Sequence, residues 1–173
     1  GVGSPDNWHR NGNDFEHSNG VIQNNIIMNC PNDVGIYINK SAKSTINNNI
    51  LYNTLGVDIR FKESSATLSN NILSGRVKSR ESGSILDLGN IVLPRSFFTV
   101  SEPLDDIFNA PYNGDFSIMK RLDAFEDNLN SQIKTTDFCD KEVLSSYLGA
   151  FSGDFCRAKT NLDNPMRVFK NDL

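Results

Sequence analysis

One short phrase recurs along the chain, and its spacing constrains the fold more than any other feature. It reads "VIQNNIIMN", then "STINNNILYN", then "ATLSNNILSG", with a weaker copy in "ILDLGNIVL". Aligned on the second asparagine, the copies place Asn25, Asn49, Asn71 and Asn90 at steps of 24, 22 and 19 residues. A second phrase runs between them: "GIYINKS" at Gly35, "GVDIRFKES" at Gly56 and "GRVKSRESG" at Gly75. A period of about 20 residues marks a solenoid, in which each period is one coil stacked on the next.

The residue types say which solenoid. A leucine-rich repeat needs leucines at fixed offsets and a helical half. These periods instead alternate β-branched and polar residues and place Asn, Gly or Ser at the breaks. That predicts an all-β chain: a right-handed, single-stranded parallel β-helix with two short strands per period and an irregular C-terminal cap. Ile, Val and Leu of each phrase should fill the interior. The second Asn should sit in left-handed geometry at a sharp corner, which Asn tolerates. Its amide should bond the equivalent amide one coil away, making a ladder.

Three segments follow. Residues 1–12 read as a leading loop, 13–93 as the coils, and 94–173 as a capping segment and tail. Phe97, Phe98, Ile107, Phe108 and Phe116 are expected to cover the last coil, since an open end exposes apolar surface and strand edges.

Side-chain alternation along a strand sorts the second phrase into faces. Ile36, Val57 and Val77 point inward, as do Ile38, Ile59 and Ser79. Two outward columns result: Tyr37, Asp58 and Lys78, then Asn39, Arg60 and Arg80. Matching "NDFEHS" to "IYINKS" at an offset of 23 adds Asp14 and Glu16 to these columns, with Phe15 inward and His17 beside Lys40. Residues 56–80 carry a net charge of +3 in a chain of net charge -4. The overall charge argues against a nucleic-acid binder, whereas a basic face on an acidic chain suggests an anionic partner. On a β-helix an acidic polysaccharide can lie along the sheet, and Arg suits a bidentate hold on carboxylate or sulfate. The alternative is a solvated lattice of ion pairs within the face.

The ordered phrases "NGVIQNNIIMN", "NDVGIYI", "NNNILYNT", "VDIRF", "SNNILSG" and "RESG", with the later "NGDFSI" and "YLGAF", resemble the right-handed parallel β-helix repeat proteins of the pectate-lyase-like superfamily. The likeness covers about residues 19 to 93. It implies a secreted or cell-envelope protein, with further coils on the N-terminal side and an acidic polysaccharide as partner. Uronate lyase chemistry needs a group that neutralises the sugar carboxylate and a base near the proton removed. Substrate-binding candidates are Glu16, Asn39, Asp58, Arg60 and Arg80; catalytic candidates are His17, Lys40, Lys78 and Tyr37. A hydrolase would use paired carboxylates; the Cα atoms of Asp14 and Glu16 would lie about 6.5–7 Å apart. A non-catalytic glycan-binding or structural β-helix is the third reading.

Cofactor signals are weak. The histidines and cysteines lack zinc spacing, and no motif points to calcium. No apolar run approaches the roughly 18 residues of a membrane span. Cys139 and Cys156 are expected to bridge, with Cys30 left as a small buried hydrophobe; three reduced thiols are the alternative. Asn39-Lys40-Ser41 forms an N-glycosylation sequon.

Overall fold

The computed structural model describes residues 16–95, 101–119, 135–143 and 148–150. The first coil holds β1 (His17–Ser18), β2 (Val21–Gln23), β3 (Ile26–Cys30) and β4 (Ile36–Asn39). The second holds β5 (Ser41–Ala42), β6 (Ser44–Asn47), β7 (Ile50–Thr54) and β8 (Gly56–Arg60). Then come β9 (Ser65–Ser69), β10 (Ile72–Ser74) and β11 (Arg76–Arg80), followed by β12 (Ser84–Leu88) and β13 (Ile91–Leu93). Equivalent strands pair in parallel, giving three main sheets in the orders β2-β6-β9-β12, β3-β7-β10-β13 and β4-β8-β11, and a short fourth made of β1 and β5. This is a parallel β-solenoid. Each Asn-containing phrase proves to be two strands and the corner between them, so a period carries three main strands rather than two.

The corner is where the asparagines act, and adjacent residues divide the work. The left-handed residue is the first of each pair: Asn24 (φ 56°), Asn48 (φ 54°), Asn70 (φ 55°) and, in the last coil, Gly89 (φ 74°). That corrects the expectation that the second Asn takes this geometry. The second Asn builds the ladder. Nδ2 of Asn25 donates to Oδ1 of Asn49 at 3.0 Å, Asn49 to Asn71 at 2.9 Å, and Asn71 to Asn90 at 2.7 Å. Each donating backbone N–H reaches the same oxygen. The physical reason is simple: turning the chain needs φ above zero at one residue, which frees the next side chain to point along the stack. The run ends at Asn90, whose Nδ2 donates to Oδ1 of Asp87 at 2.5 Å.

Inside the coils, Ile36 and Ile38 stack on Val57 and Ile59, and these on Val77 and Ser79, as the alternation predicts. Ile38, Ile46, Leu51, Ile59, Leu68 and Leu73 are fully buried, each contributing about 1.5–3 kcal/mol of transfer free energy. In the last coil, interior positions turn polar. Ser79 follows Ile59, and Asp87 follows Leu68. Inward polar residues blunt a solenoid end against further strand pairing.

The β3-β7-β10-β13 sheet is apolar on both faces. Ile27, Leu51, Leu73 and Val92 face the interior cluster. Ile26, Ile50, Tyr52, Ile72 and Ile91 pack outward against Leu104, Ile107, Phe108, Phe116, Phe138, Leu148 and Ala150. Phe108 belongs to β14 (Phe108–Ala110), which pairs antiparallel with β15 (Asp115–Ile118), carrying Phe116. A further hairpin joins β16 (Thr135–Thr136) to β17 (Glu142–Val143). Ile107, Phe108 and Phe116 therefore cover the flank of one sheet along all its coils, the last included, instead of closing the end of the last coil alone; Phe97 and Phe98 lie outside the described residues. The phrases "NIIM", "NILY" and "NIVL" explain the correction. Consecutive apolar residues leave a strand no wet side, as in sheets buried on both faces. Tyr52 ties the cover down, with edge-to-face contacts to Phe116 and Tyr112 and a hydroxyl donating to Asp105 at 2.5 Å. Burial, then the Asp105 bond, pushes the Tyr52 hydroxyl far up, so it remains a donor.

Candidate functional site: the basic sheet and its flanking groove

The β4-β8-β11 sheet carries its outward side chains in the columns the sequence implies. Tyr37 lies opposite Asp58 and Asp58 opposite Lys78; Asn39 lies opposite Arg60 and Arg60 opposite Arg80. Two glycines let the coils close up at the corner entering this sheet. Gly56 (φ 93°) and Gly75 (φ 91°) stand so near the next backbone that an added Cβ would come within 2.2 and 2.3 Å of it.

The columns are less cationic than they look. Arg60 donates through Nε to Glu81 at 2.7 Å, and Arg80 through Nε to Asp58 at 3.0 Å with a second contact between Nη2 and Oδ2. Asp58 is buried beneath that fork. The bond to Glu81, then one to Tyr37, raises Arg60 above the ordinary arginine value; the bond to Asp58 and its charge raise Arg80. Both arginines thus have counter-ions inside the face, the ion-pair alternative of the sequence reading. Beside them, Phe61 sits in left-handed geometry (φ 74°), its ring 4.8 Å from the Arg60 guanidinium and 5.8 Å from Lys40 Nζ.

Other candidates are not assembled around one point. His17 lies opposite Ser41, not beside Lys40, because β1, β2 and β3 all pair with the second coil at an offset of 24. A shift of one residue turns every side chain over, so Glu16, whose N–H donates to the Lys40 carbonyl, leaves the Asn39 column. The exposed His17 imidazole lies over Gly20, where an added Cβ would come within 2.8 Å of Nε2. Asp14 and Phe15 lie outside the described residues, so the carboxylate pair has no geometry here. Asn39 is only 1% exposed within β4, which closes the sequon to modification in the folded chain. Cys139 is disulfide-bonded and Cys30 is a free thiol; Cys156, the expected partner of Cys139, lies outside the described residues. Among the described residues no group of three or more His, Cys, Asp or Glu gathers to hold a metal ion.

The unsatisfied charge lies one column over. Arg76 and Lys78 project from the exposed edge strand β11, and no acidic group among the described residues pairs with either. Together with Arg95 they line a groove of about 310 Å³, whose other walls are Pro31, Asn32, Leu55 and Gly75. Arg95 donates through Nη1 to the Pro31 carbonyl at 3.0 Å and lies 3.7 Å from the carboxylate of Glu102. In the sequence Arg76 counts toward the basic charge of residues 56–80 without being a binding candidate, and nothing marks Arg95. Arg76 follows the corner glycine directly, a detectable signal once Gly75 is aligned with the coil breaks; Arg95 is brought there by the chain leaving β13. No family model, curated protein or solved structure matches this chain.

Proposed function

We propose that this β-solenoid is a glycan-binding protein whose ligand is an acidic polysaccharide, held along the groove beside the basic sheet. The observation that carries the reading is the pair Arg76 and Lys78, exposed on one strand without acidic partners among the described residues and joined by Arg95 in one groove. Two residues along a strand separate Arg76 and Lys78 by about 6.6 Å at the backbone, which suits negative groups repeated along a polymer. The disulfide at Cys139 supports an oxidising, extracytoplasmic setting. Binding without turnover is the favoured activity, because His17 and Lys78 stand on different sheets and coils and Arg60 and Arg80 are already engaged.

The test uses dextran sulfate, polygalacturonate and neutral dextran. The acidic polymers should bind, more weakly as salt rises, and neutral dextran should not. Arg76→Ala combined with Lys78→Ala should abolish binding, whereas Arg60→Ala combined with Arg80→Ala should weaken it only modestly. Absorbance from unsaturated uronate products would convert the reading to a lyase. Undiminished binding by the Arg76/Lys78 double variant would refute the groove as the site.

A further inference from the structure

Arg95 belongs to the groove and to the cover at once. Its Nη1 holds the Pro31 carbonyl on the groove wall, while its Nε faces Oε2 of Glu102 at 3.7 Å. Glu102 lies under the cover with its side chain 2% exposed. The groups facing it are Arg95 from the segment after β13, the Ser74 hydroxyl from β10, the Asn53 backbone from β7 and the Leu104 N–H from its own turn. The Ser74 hydroxyl is shared with the Leu51 carbonyl, to which it also donates at 3.3 Å. Neither carboxylate oxygen of Glu102 has a well-formed hydrogen bond. Burial pushes this carboxyl up, opposed by Ser74, the Leu104 N–H, Arg95 and the Asn53 backbone.

Resting on the acidic-glycan reading above, we propose that the groove takes up a proton together with its anion: the polymer held by Arg76, Lys78 and Arg95 binds the protein with Glu102 neutral. The physics has one sign by either route. If Arg95 turns toward the ligand, an ionised Glu102 is left buried without a cation, which is costly. If Arg95 stays, an ionised Glu102 just behind it repels the ligand's charge. Each route favours the anion when Glu102 is protonated. By reciprocity the bound anion favours protonation of Glu102. The effector here is the proton, and the element that carries the coupling is a single guanidinium shared by groove and cover.

The experiment measures dextran sulfate binding between about pH 4.5 and about pH 8, since sulfate esters keep their charge across that range. Wild type should tighten by about fivefold or more as pH falls. Glu102→Gln should bind tightly throughout and lose most of the dependence. Asp58 and Glu81, paired to Arg80 and Arg60, remain in both proteins, so any contribution from them cancels in the comparison. Should Glu102→Gln fail to fold, calorimetry of wild type in two buffers of different ionisation enthalpy decides. Net proton uptake on binding supports the coupling, and none overturns it. An unchanged pH dependence in folded Glu102→Gln overturns the coupling alone. Absence of any binding overturns the acidic-glycan reading and takes the coupling with it.

Discussion

Replacing Asn49 by Ala should be among the most damaging polar substitutions in this protein. The Asn49 amide donates to the Ile22 carbonyl at 3.0 Å, the Asn47 carbonyl at 3.0 Å and Asn71 Oδ1 at 2.9 Å. Its own oxygen accepts both the backbone N–H and the Nδ2 of Asn25 at 3.0 Å. Alanine removes all five contacts and leaves the Asn47 carbonyl with the longer bond from the Asn24 N–H at 3.3 Å. At roughly 1 kcal/mol per bond, and more where a buried partner is left unpaired, the loss is about 4–5 kcal/mol. That is a large part of a stability of about 5–15 kcal/mol. The melting midpoint should fall by about 10–15 °C for a chain of this size. The control is the adjacent residue. Asn48→Gly keeps the backbone comfortable at φ 54° and leaves the ladder intact while giving up contacts that include the 3.3 Å bond from Asn47 Nδ2, so it should lose less than Asn49→Ala. Urea and thermal unfolding followed by circular dichroism give both values. Equal losses for Asn48→Gly and Asn49→Ala would refute the division of labour between turning residue and ladder residue.

Register and packing yield further expectations. Ile59 is fully buried and Arg60 is half-exposed, so Ile59→Asp should prevent folding while Arg60→Ala leaves the denaturation midpoint nearly unchanged. Phe108→Ala should lower stability by about 3–5 kcal/mol, with near-ultraviolet circular dichroism reporting the loosened cover. Gly75→Ala, which places a Cβ against the Leu55 backbone at a φ of 91°, should destabilise by more than about 2 kcal/mol; a neutral result would mean the corner can open. For Glu102 the raised folded-state value means its ionised form is disfavoured on folding. Its cost is present above the folded value and disappears as pH falls toward the unfolded value. Wild type should therefore gain stability relative to Glu102→Gln as pH is lowered through that interval, read as the difference between their midpoints.

Much of this fold was legible in the chain because a solenoid writes its contacts at a fixed period. Asn25, Asn49, Asn71 and Asn90 could be aligned by eye, and the alternation in "GVDIRF" told Ile59 from Arg60. Those are local and nearest-coil relations, and the repeat reports them directly. The first-coil register was misjudged by one residue because "NDFEHS" has no glycine or asparagine pair to fix it. The left-handed position was misassigned within each Asn pair because composition marks the corner but not which residue turns.

What the sequence by itself determined is the stacking: coil length, interior columns and the asparagine ladder, all carried by like residues meeting like. What only the tertiary structure decided is everything that depends on unlike segments meeting. Arg60 finds Glu81 and Arg80 finds Asp58 across neighbouring coils, so two prominent cations are spoken for and the exposed Arg76 and Lys78 are not. Arg95 reaches the groove, and Glu102 reaches Arg95, because the chain past β13 folds back over an apolar flank. No periodicity encodes that return. It is set by the free energy of covering Tyr52, Ile50 and Ile72, and its geometry exists only once the coils have made that surface.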